Sequence, residues 1–277
     1  MKVRVQNILL FIILERLVIM QIHILASGST GNCILLQMGA TRLLVDAGIS
    51  TRRIEKGLAE LGIKTGELDG ILVTHEHSDH VKGLPLLAKK YDIPVYTRGA
   101  TWEMLPGREK IPDQCFKMIG QSFSVGQIDI EAFAISHDAA DPVGFCFYYR
   151  RKKWVVATDL GKVTPEVVQA LSYADVAVLE SNHDINMLKN GSYPAFLKQR
   201  ILGQRGHLSN LEAAQLLCTI PRQERMKVFL AHLSQQNNHP AVAERTVASL
   251  LKANGCKLGQ DVTILSTYPD SRASLVF

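Results

Sequence analysis

Three of the nine histidines in the chain lie within six residues of one another. His75, His77 and His80 directly follow a short apolar run, with Asp79 among them. Residues two apart on an extended segment point the same way, so His75 and His77 can bind one ion. Asp79 and His80 can face a second position as the chain turns into a helix. Imidazole and carboxylate groups at this density suit Zn²⁺, Mn²⁺ or Fe, which favours a metal site over an exposed histidine-rich loop.

Three further candidate ligands follow apolar runs elsewhere in the chain. His137 follows one such run and would complete the first ion site. Asp159 ends another run, where its carboxylate could bridge two ions, and His232 ends a third, where it would complete the second site. Each residue alone would more often be a polar cap at the end of a strand. Combined with the histidine cluster, they predict two divalent ions, zinc or manganese.

These side chains must be positioned by a mixed α/β fold. Strand-like and helix-like runs alternate along the chain, and some strand pairs are joined by short turns. Such hairpins argue against a purely parallel, doubly wound sheet. One helix is expected to span residues 79–91, immediately after the histidine cluster.

A weak internal repeat indicates how the elements are arranged. One hairpin begins at Cys33 and ends in Asp46-x-Gly, and a second begins at Cys146 and ends in Asp159-x-Gly, at the same offset. A duplication predicts two facing β-sheets with helices outside, a four-layer αββα sandwich, with the site where the strands end. The second half places His183 at the position equivalent to His77, so His183 is expected to reach the cleft.

Composition excludes several classes of protein. A chain of 277 residues that is 47% hydrophobic is typical of a globular protein, not of a disordered, collagen-like or multi-span membrane protein. The net charge of +5 is compatible with an anionic substrate but does not require one. The five cysteines are widely spaced and form no C-x-x-C pair, so we expect no disulfide framework and a cytoplasmic location.

The first nineteen residues are expected to be an N-terminal extension outside the core. Their apolar run, Ile8–Leu14, is far shorter than the roughly 20 residues that span a bilayer. A convincing signal-peptide cleavage site is also lacking. Met20 opens the first strand-like run, so residues 20–277 are expected to form a single domain with no membrane association.

The order of the candidate ligands resembles the pattern of the metallo-β-lactamase superfamily. The residues that carry this resemblance are His75, His77, Asp79, His80, His137, Asp159 and His232. It covers roughly residues 20–270 and implies an αββα sandwich with two mixed β-sheets, outer helices and a dinuclear metal site between the halves. Asp46 resembles the early aspartate of the family, which braces the site without binding metal. An aspartate rather than a cysteine at position 159 argues against the β-lactamase branch itself.

The C-terminal third of the chain indicates which members of the superfamily it resembles most. His207, in Gly-His-Leu-Ser-Asn before a helix, is similar to a tRNase Z histidine that contacts the scissile phosphate or protonates the leaving oxygen. The structural alternative is that Ser209 or Asn210 simply caps the helix. Together with this segment, residues 26–32 and 180–184 resemble the YycJ/WalJ group of bacterial 5′→3′ DNA exonucleases.

Four residues are candidate substrate contacts. Ser29 and Asn32 belong to the Ser-Gly-Ser-Thr-Gly-Asn segment, whose backbone N–H groups could face a phosphate, although a tight hairpin turn would explain it equally well. Asn182 and His183 lie in the Glu-Ser-Asn-His segment. For His183 the alternative is a hydrogen bond behind the metal ligands.

The function expected from these residues and resemblances is a dinuclear-metal-dependent phosphodiesterase, specifically a 5′→3′ DNA exonuclease. A metal-bridging hydroxide would attack the phosphate, oriented by Asp79, and His207 would assist the leaving group. The alternative is a small-molecule phosphodiesterase of the cyclic-nucleotide type, or another ester hydrolase of this fold. Nucleic acid, as DNA, is the expected partner. Metal identity, the preference for DNA over RNA, cleavage polarity and oligomeric state are left open by the sequence.

Overall fold

The computed structural model describes residues 19–277, so residues 1–18 of the expected N-terminal extension lie outside it. Within the described residues there are fourteen strands. They are β1 (Met20–Ala26), β2 (Cys33–Met38), β3 (Thr41–Val45), β4 (Gly70–Leu72), β5 (Val95–Thr97), β6 (Phe116–Met118), β7 (Ser122–Val125), β8 (Ile128–Ala134), β9 (Val143–Tyr149), β10 (Lys152–Ala157), β11 (Val176–Glu180), β12 (Met226–Ala231), β13 (Val262–Ser266) and β14 (Ala273–Val276).

Nine α-helices accompany these strands in the same part of the chain. They are α1 (Thr51–Ala59), α2 (Ser78–Val81), α3 (Leu84–Tyr91), α4 (Gly99–Glu103), α5 (Pro165–Leu171), α6 (Ile185–Asn190), α7 (Ala195–Leu202), α8 (Asn210–Thr219) and α9 (Pro240–Ala253). Between residues 19 and 277, no helix has the length and apolar character needed to cross a bilayer.

The strands form two seven-stranded sheets, which we call sheet A and sheet B. Sheet A has the order β14-β1-β2-β3-β4-β5-β6, and sheet B has the order β13-β12-β11-β10-β9-β8-β7. Both are mixed. In each, an antiparallel hairpin (β2–β3 or β9–β10) leads into three further strands that pair in parallel. This shared order matches the sequence repeat and confirms the expected mixed sheets.

Hydrophobic packing arranges these elements in four layers. Residues of both sheets, such as Leu36 and Phe147, share a central cluster between them. The outer face of sheet A packs against α1 and α3, and the outer face of sheet B against α5, α8 and α9. Successive side chains of a strand point to opposite faces, so Leu36 enters the central cluster and its neighbour Leu35 the outer one. The predicted αββα sandwich is confirmed.

The prediction of a single helix over residues 79–91 is wrong, because the structure has two helices there. α2 ends at Val81 and α3 begins at Leu84, with Pro85 in its first turn. The backbone N–H of Gly83 donates to the carbonyl of Ala47, and a Cβ there would overlap the carbonyl oxygen of Ile49. Because Gly83 packs closely against the loop after β3, the backbone changes direction after one turn of helix. Proline suits the start of the helix that follows.

Substitution of Gly48 tests how closely the loop after β3 packs against α2. A Cβ at Gly48 would overlap the carbonyl oxygen of Asp79, so Gly48→Ala should displace α2 and cost more than about 2 kcal/mol of unfolding free energy. Gly57→Ala, inside α1, is the control, because its Cβ would meet only Leu25 at 3.4 Å. That change should stabilise the fold by about 0.4–1 kcal/mol. Urea unfolding measures both, and equal effects would contradict the packing described.

Candidate metal centre

Strand ends bring the predicted ligands to one edge of the sandwich. His75 follows β4 of sheet A, and α2 then carries Asp79 and His80. In sheet B, Asp159 and His232 follow β10 and β12, whose intervening strand β11 is parallel to both. Because parallel strands end at the same edge, ligands that are distant in sequence become neighbours.

The first group of donors consists of His75, His77 and His137, each with a ring nitrogen within 4.8 Å of the others. Nδ1 of His77 lies 3.3 Å from Nε2 of His137. The carbonyl of Gly206 lies 3.2 Å from Nδ1 of His137, which leaves Nε2 directed at the centre. Three imidazoles thus converge on a point that could hold one ion.

The second group consists of Asp79, His80 and His232, again within 4.8 Å. Oδ2 of Asp79 is 3.4 Å from Nε2 of both His80 and His232. Asp159 stands between the groups, because its Oδ2 is 3.3 Å from Nε2 of His80 and its Oδ1 is 3.7 Å from Nε2 of His137. A carboxylate in that place can contact ions on either side. The seven residues predicted as ligands are therefore brought together.

The chemistry of this donor set fits divalent metal ions. Within residues 19–277, Nε2 of His75 and Oδ2 of Asp159 are buried and have no hydrogen-bond partner. Buried polar atoms are normally paired, and buried carboxylates are paired or bind metal. Imidazole with carboxylate is a ligand set that suits Zn²⁺ or Mn²⁺.

Asp46 braces the first half of the site, as the resemblance implied. Its Oδ2 lies 2.7 Å from Nδ1 of His80, and its carboxylate accepts hydrogen bonds from the backbone and hydroxyl of Thr74. With Nδ1 occupied, His80 presents Nε2 to the centre. Asp46, Asp159 and His232 all adopt positive φ, at 60°, 59° and 54°. Left-handed backbone is uncommon for residues other than glycine, and three of its instances lie at strand ends in this site.

Glu180 belongs to the candidate site but was not predicted from the sequence. It ends β11 fully buried, and its Oε1 lies 2.8 Å from Nδ1 of both His207 and His232. Its Oε2 accepts from the backbone N–H groups of Leu160 and Leu208. Burial alone would raise the pKa of Glu180, but His207 and His232 lower it to about 2, so the carboxylate is ionised. An acidic residue closing a fully apolar strand was the available signal.

A pocket of about 210 Å³ opens over the candidate ligands and is lined in part by His207, Ser29 and Asn182. The other two predicted substrate contacts are not among its lining residues. Asn32 lies beside Asp79 and His80, with its Nδ2 3.1 Å from Nε2 of His80. His183 is 1% exposed, and neither ring nitrogen has a hydrogen-bond partner within the described chain.

The histidines of the centre differ in pKa. Burial alone would lower the pKa of His232, but Asp159, Asp79 and Glu180 overcome it and raise it to about 10. Burial is likewise outweighed at His80, where Asp159, Asp46 and Asp79 raise the pKa well above its ordinary value. At His75, burial and neighbouring His80 both lower the pKa. These shifts favour the protonated form of His80 and His232 and the neutral form of His75 at neutral pH.

Comparison with known proteins identifies the family. A family described as the beta-lactamase superfamily domain matches residues 41–233. The chain belongs to this superfamily. Within the superfamily it is 39% identical to the exodeoxyribonuclease YycJ of Bacillus anthracis over 249 residues, which cover 89% of this chain and 94% of that protein. It is 38% identical to the exodeoxyribonuclease WalJ of Streptococcus pneumoniae over 258 residues, 91% of this chain and 96% of that protein.

The crystal structure of the metallo-β-lactamase-fold protein YhfI of Bacillus subtilis shows the same fold. It superposes with a TM-score of 0.67 at 16% identity, covering 92% of this chain and 99% of that one. The shared superfamily, the two relatives and the clustered donors identify this superfamily member as a metal-dependent hydrolase.

Metal uptake at this centre should release protons. Metal binding requires unprotonated imidazole nitrogens, whereas His80 and His232 carry protons near pH 7 because their pKa values lie above it. We expect at least about two protons to leave per molecule, measured by titration calorimetry in buffers of different ionisation enthalpy. His23→Gln, which changes a histidine on β1 that contacts Ser274, should release the same number. A binding enthalpy independent of buffer would contradict the assignment.

Proposed function

We propose that this chain is a two-metal phosphodiesterase that degrades DNA in the 5′→3′ direction. The observation that carries the proposal is the pair of donor groups on either side of Asp159, with the His207 ring in the same pocket. The names of the relatives YycJ and WalJ support DNA as the substrate. The direction follows from the resemblance of three sequence segments to the YycJ/WalJ group. Residues 20–277 would act as one hydrolase domain.

Two zinc or manganese ions are proposed, one held by His75, His77 and His137 and the other by Asp79, His80 and His232. Asp159 would contact both. A pair of divalent ions makes a water nucleophile available at neutral pH and neutralises charge on phosphoryl oxygens. Asp79 also borders the pocket, where its carboxylate can orient the attacking water.

His207 is proposed as the residue that assists the leaving oxygen. Its Nδ1 is tied to Glu180 at 2.8 Å, so Nε2 is free to face the substrate. Its side chain keeps 19% exposure, in contrast to the fully buried Glu180. A buried carboxylate behind an imidazole fixes the orientation of the ring. His207 can therefore donate a hydrogen bond or a proton when the P–O bond breaks.

The remaining predicted contacts divide by position. Ser29 and Asn182 line the pocket and would contact the phosphate directly. Asn32 bonds to Gly28 and lies against His80, so its proposed role is to hold the Ser29 loop against the site. His183, buried behind the wall, would act on substrate only through its neighbours.

A small-molecule phosphodiesterase is the second candidate. The pocket volume, about 210 Å³, supports it, because a small phosphodiester would fit inside as a whole, whereas only the reacting part of a DNA strand would. This alternative predicts hydrolysis of cyclic nucleotides and no action on long DNA.

Degradation of a labelled duplex tests the proposal. With Mn²⁺, a 5′-phosphorylated duplex carrying a 3′ label should shorten stepwise from its 5′ end, and Asp79→Ala should abolish this because it removes a proposed ligand. Asp113→Ala, at an exposed acid in a short 3₁₀ helix, is the control and should keep full activity. Shortening from the 3′ end would contradict the direction. Intact DNA alongside hydrolysed cyclic nucleotides would favour the second candidate.

His207→Ala tests the role of the leaving-group residue. Because His207 is not a proposed metal ligand, the variant should bind metal like the wild type while its kcat falls by about 10²–10⁴-fold. Elemental analysis and single-turnover kinetics measure the two quantities. His239→Asn, at an exposed histidine that caps α9, should change neither. Unchanged kcat in His207→Ala, or loss of metal, would contradict the role.

A further inference from the structure

One wall of the pocket comes from helices α6 and α7, at residues 185–202, for which no role was predicted. Tyr193, Leu197, Arg200 and Ile201 from this segment line the pocket beside the candidate ligands. Among the described residues that line it, Arg200 is the one arginine or lysine. An anionic substrate entering the pocket therefore passes a single guanidinium group.

Arg200 is held at the mouth by one carboxylate. Its Nε donates to Oδ2 of Asp138 at 2.7 Å, and the two side chains are 55% and 32% exposed. Asp138 follows His137 directly, and its Oδ1 lies 3.4 Å from Nε2 of that histidine. Within residues 19–277, the terminal nitrogens of Arg200 form no further hydrogen bond. Most of the five donors of a guanidinium are thus available to a ligand.

We propose that Arg200 binds a phosphate of the DNA strand next to the scissile one and exchanges Asp138 for it. This inference rests on the proposed function. A pocket of about 210 Å³ holds only the reacting part of a strand, so the adjoining phosphate must lie at its mouth, where Arg200 stands. Guanidinium groups bind phosphate through two parallel hydrogen bonds. A solvent-exposed ion pair contributes little stability, so the exchange costs little.

The competing explanation is that the Arg200–Asp138 pair only fixes α7 against the loop after β8. The two explanations predict different effects of Asp138→Asn on DNA affinity. If the pair is structural, Arg200→Ala removes the contact and Asp138→Asn leaves only a neutral hydrogen bond, so both changes should impair binding. If Arg200 binds phosphate, the first change removes a donor, whereas the second removes a competing anion.

Binding to a hydrolysis-resistant strand separates these explanations. Fluorescence anisotropy of the metal-loaded protein with labelled single-stranded DNA bearing phosphorothioate linkages gives the affinity between about 50 and 200 mM salt. Arg200→Ala should weaken binding about tenfold. It should also reduce the magnitude of the slope of log K against log salt by about 0.7, which is the value expected for the loss of one phosphate contact. Arg200→Lys should keep the slope, and Asp138→Asn should bind equally well or more tightly. Lys198→Ala, on the same helix but bonded to the carbonyl of Lys189, controls for lost charge.

Several outcomes would overturn the inference. These are wild-type affinity and slope in Arg200→Ala, equal weakening in Asp138→Asn, and a slope change in Lys198→Ala as large as that in Arg200→Ala. Thermal midpoints and metal content verify each fold, and Arg200→Gln replaces Arg200→Ala if that variant unfolds. Hydrolysis of the unmodified strand by wild type is measured in parallel. Binding without hydrolysis would refute the proposed function alone, and absence of binding would refute both.

Discussion

Asp159 imposes the constraint on which the rest of the site depends. Its carboxylate is ionised and only 2% exposed, and a buried charge is costly unless groups of opposite charge or a metal surround it. Four histidines from four separate segments have a ring nitrogen within 3.7 Å of it. Those imidazoles must in turn be held in place, which is the role of Asp46 on one side and Glu180 on the other. The donor groups, the bracing acids and the strand ends thus form one connected arrangement around a single carboxylate.

The same backbone turn positions a buried aspartate in each half of the sandwich. Asp46 and Asp159 each follow the second strand of a hairpin, each precede x-Gly, and each adopt φ near 60°. In the first half the turned carboxylate contacts the far side of His80, and in the second it faces the proposed ions directly. One local backbone conformation therefore supplies both a bracing acid and a central one.

Much of this could be predicted from the sequence, because the signals were local. His75, His77, Asp79 and His80 lie on one short segment, and the other predicted ligands each close an apolar strand. Glu180 could not be assigned, because its contacts with His207 and His232 exist only when α8 and β12 come together beside β11. The pocket wall at 185–202 was missed because its helices are short and weakly periodic. The prediction of a single helix over residues 79–91 was wrong because the helix is interrupted by a tertiary contact, between Gly83 and the loop after β3.

The central claim is that two ions bind on either side of Asp159. Anomalous diffraction from crystals grown with Mn²⁺ or Zn²⁺ tests it directly. The account predicts two peaks about 3.5–4 Å apart, one among His75, His77 and His137 and the other among Asp79, His80 and His232. A single peak, or ions bound away from Asp159, would contradict it.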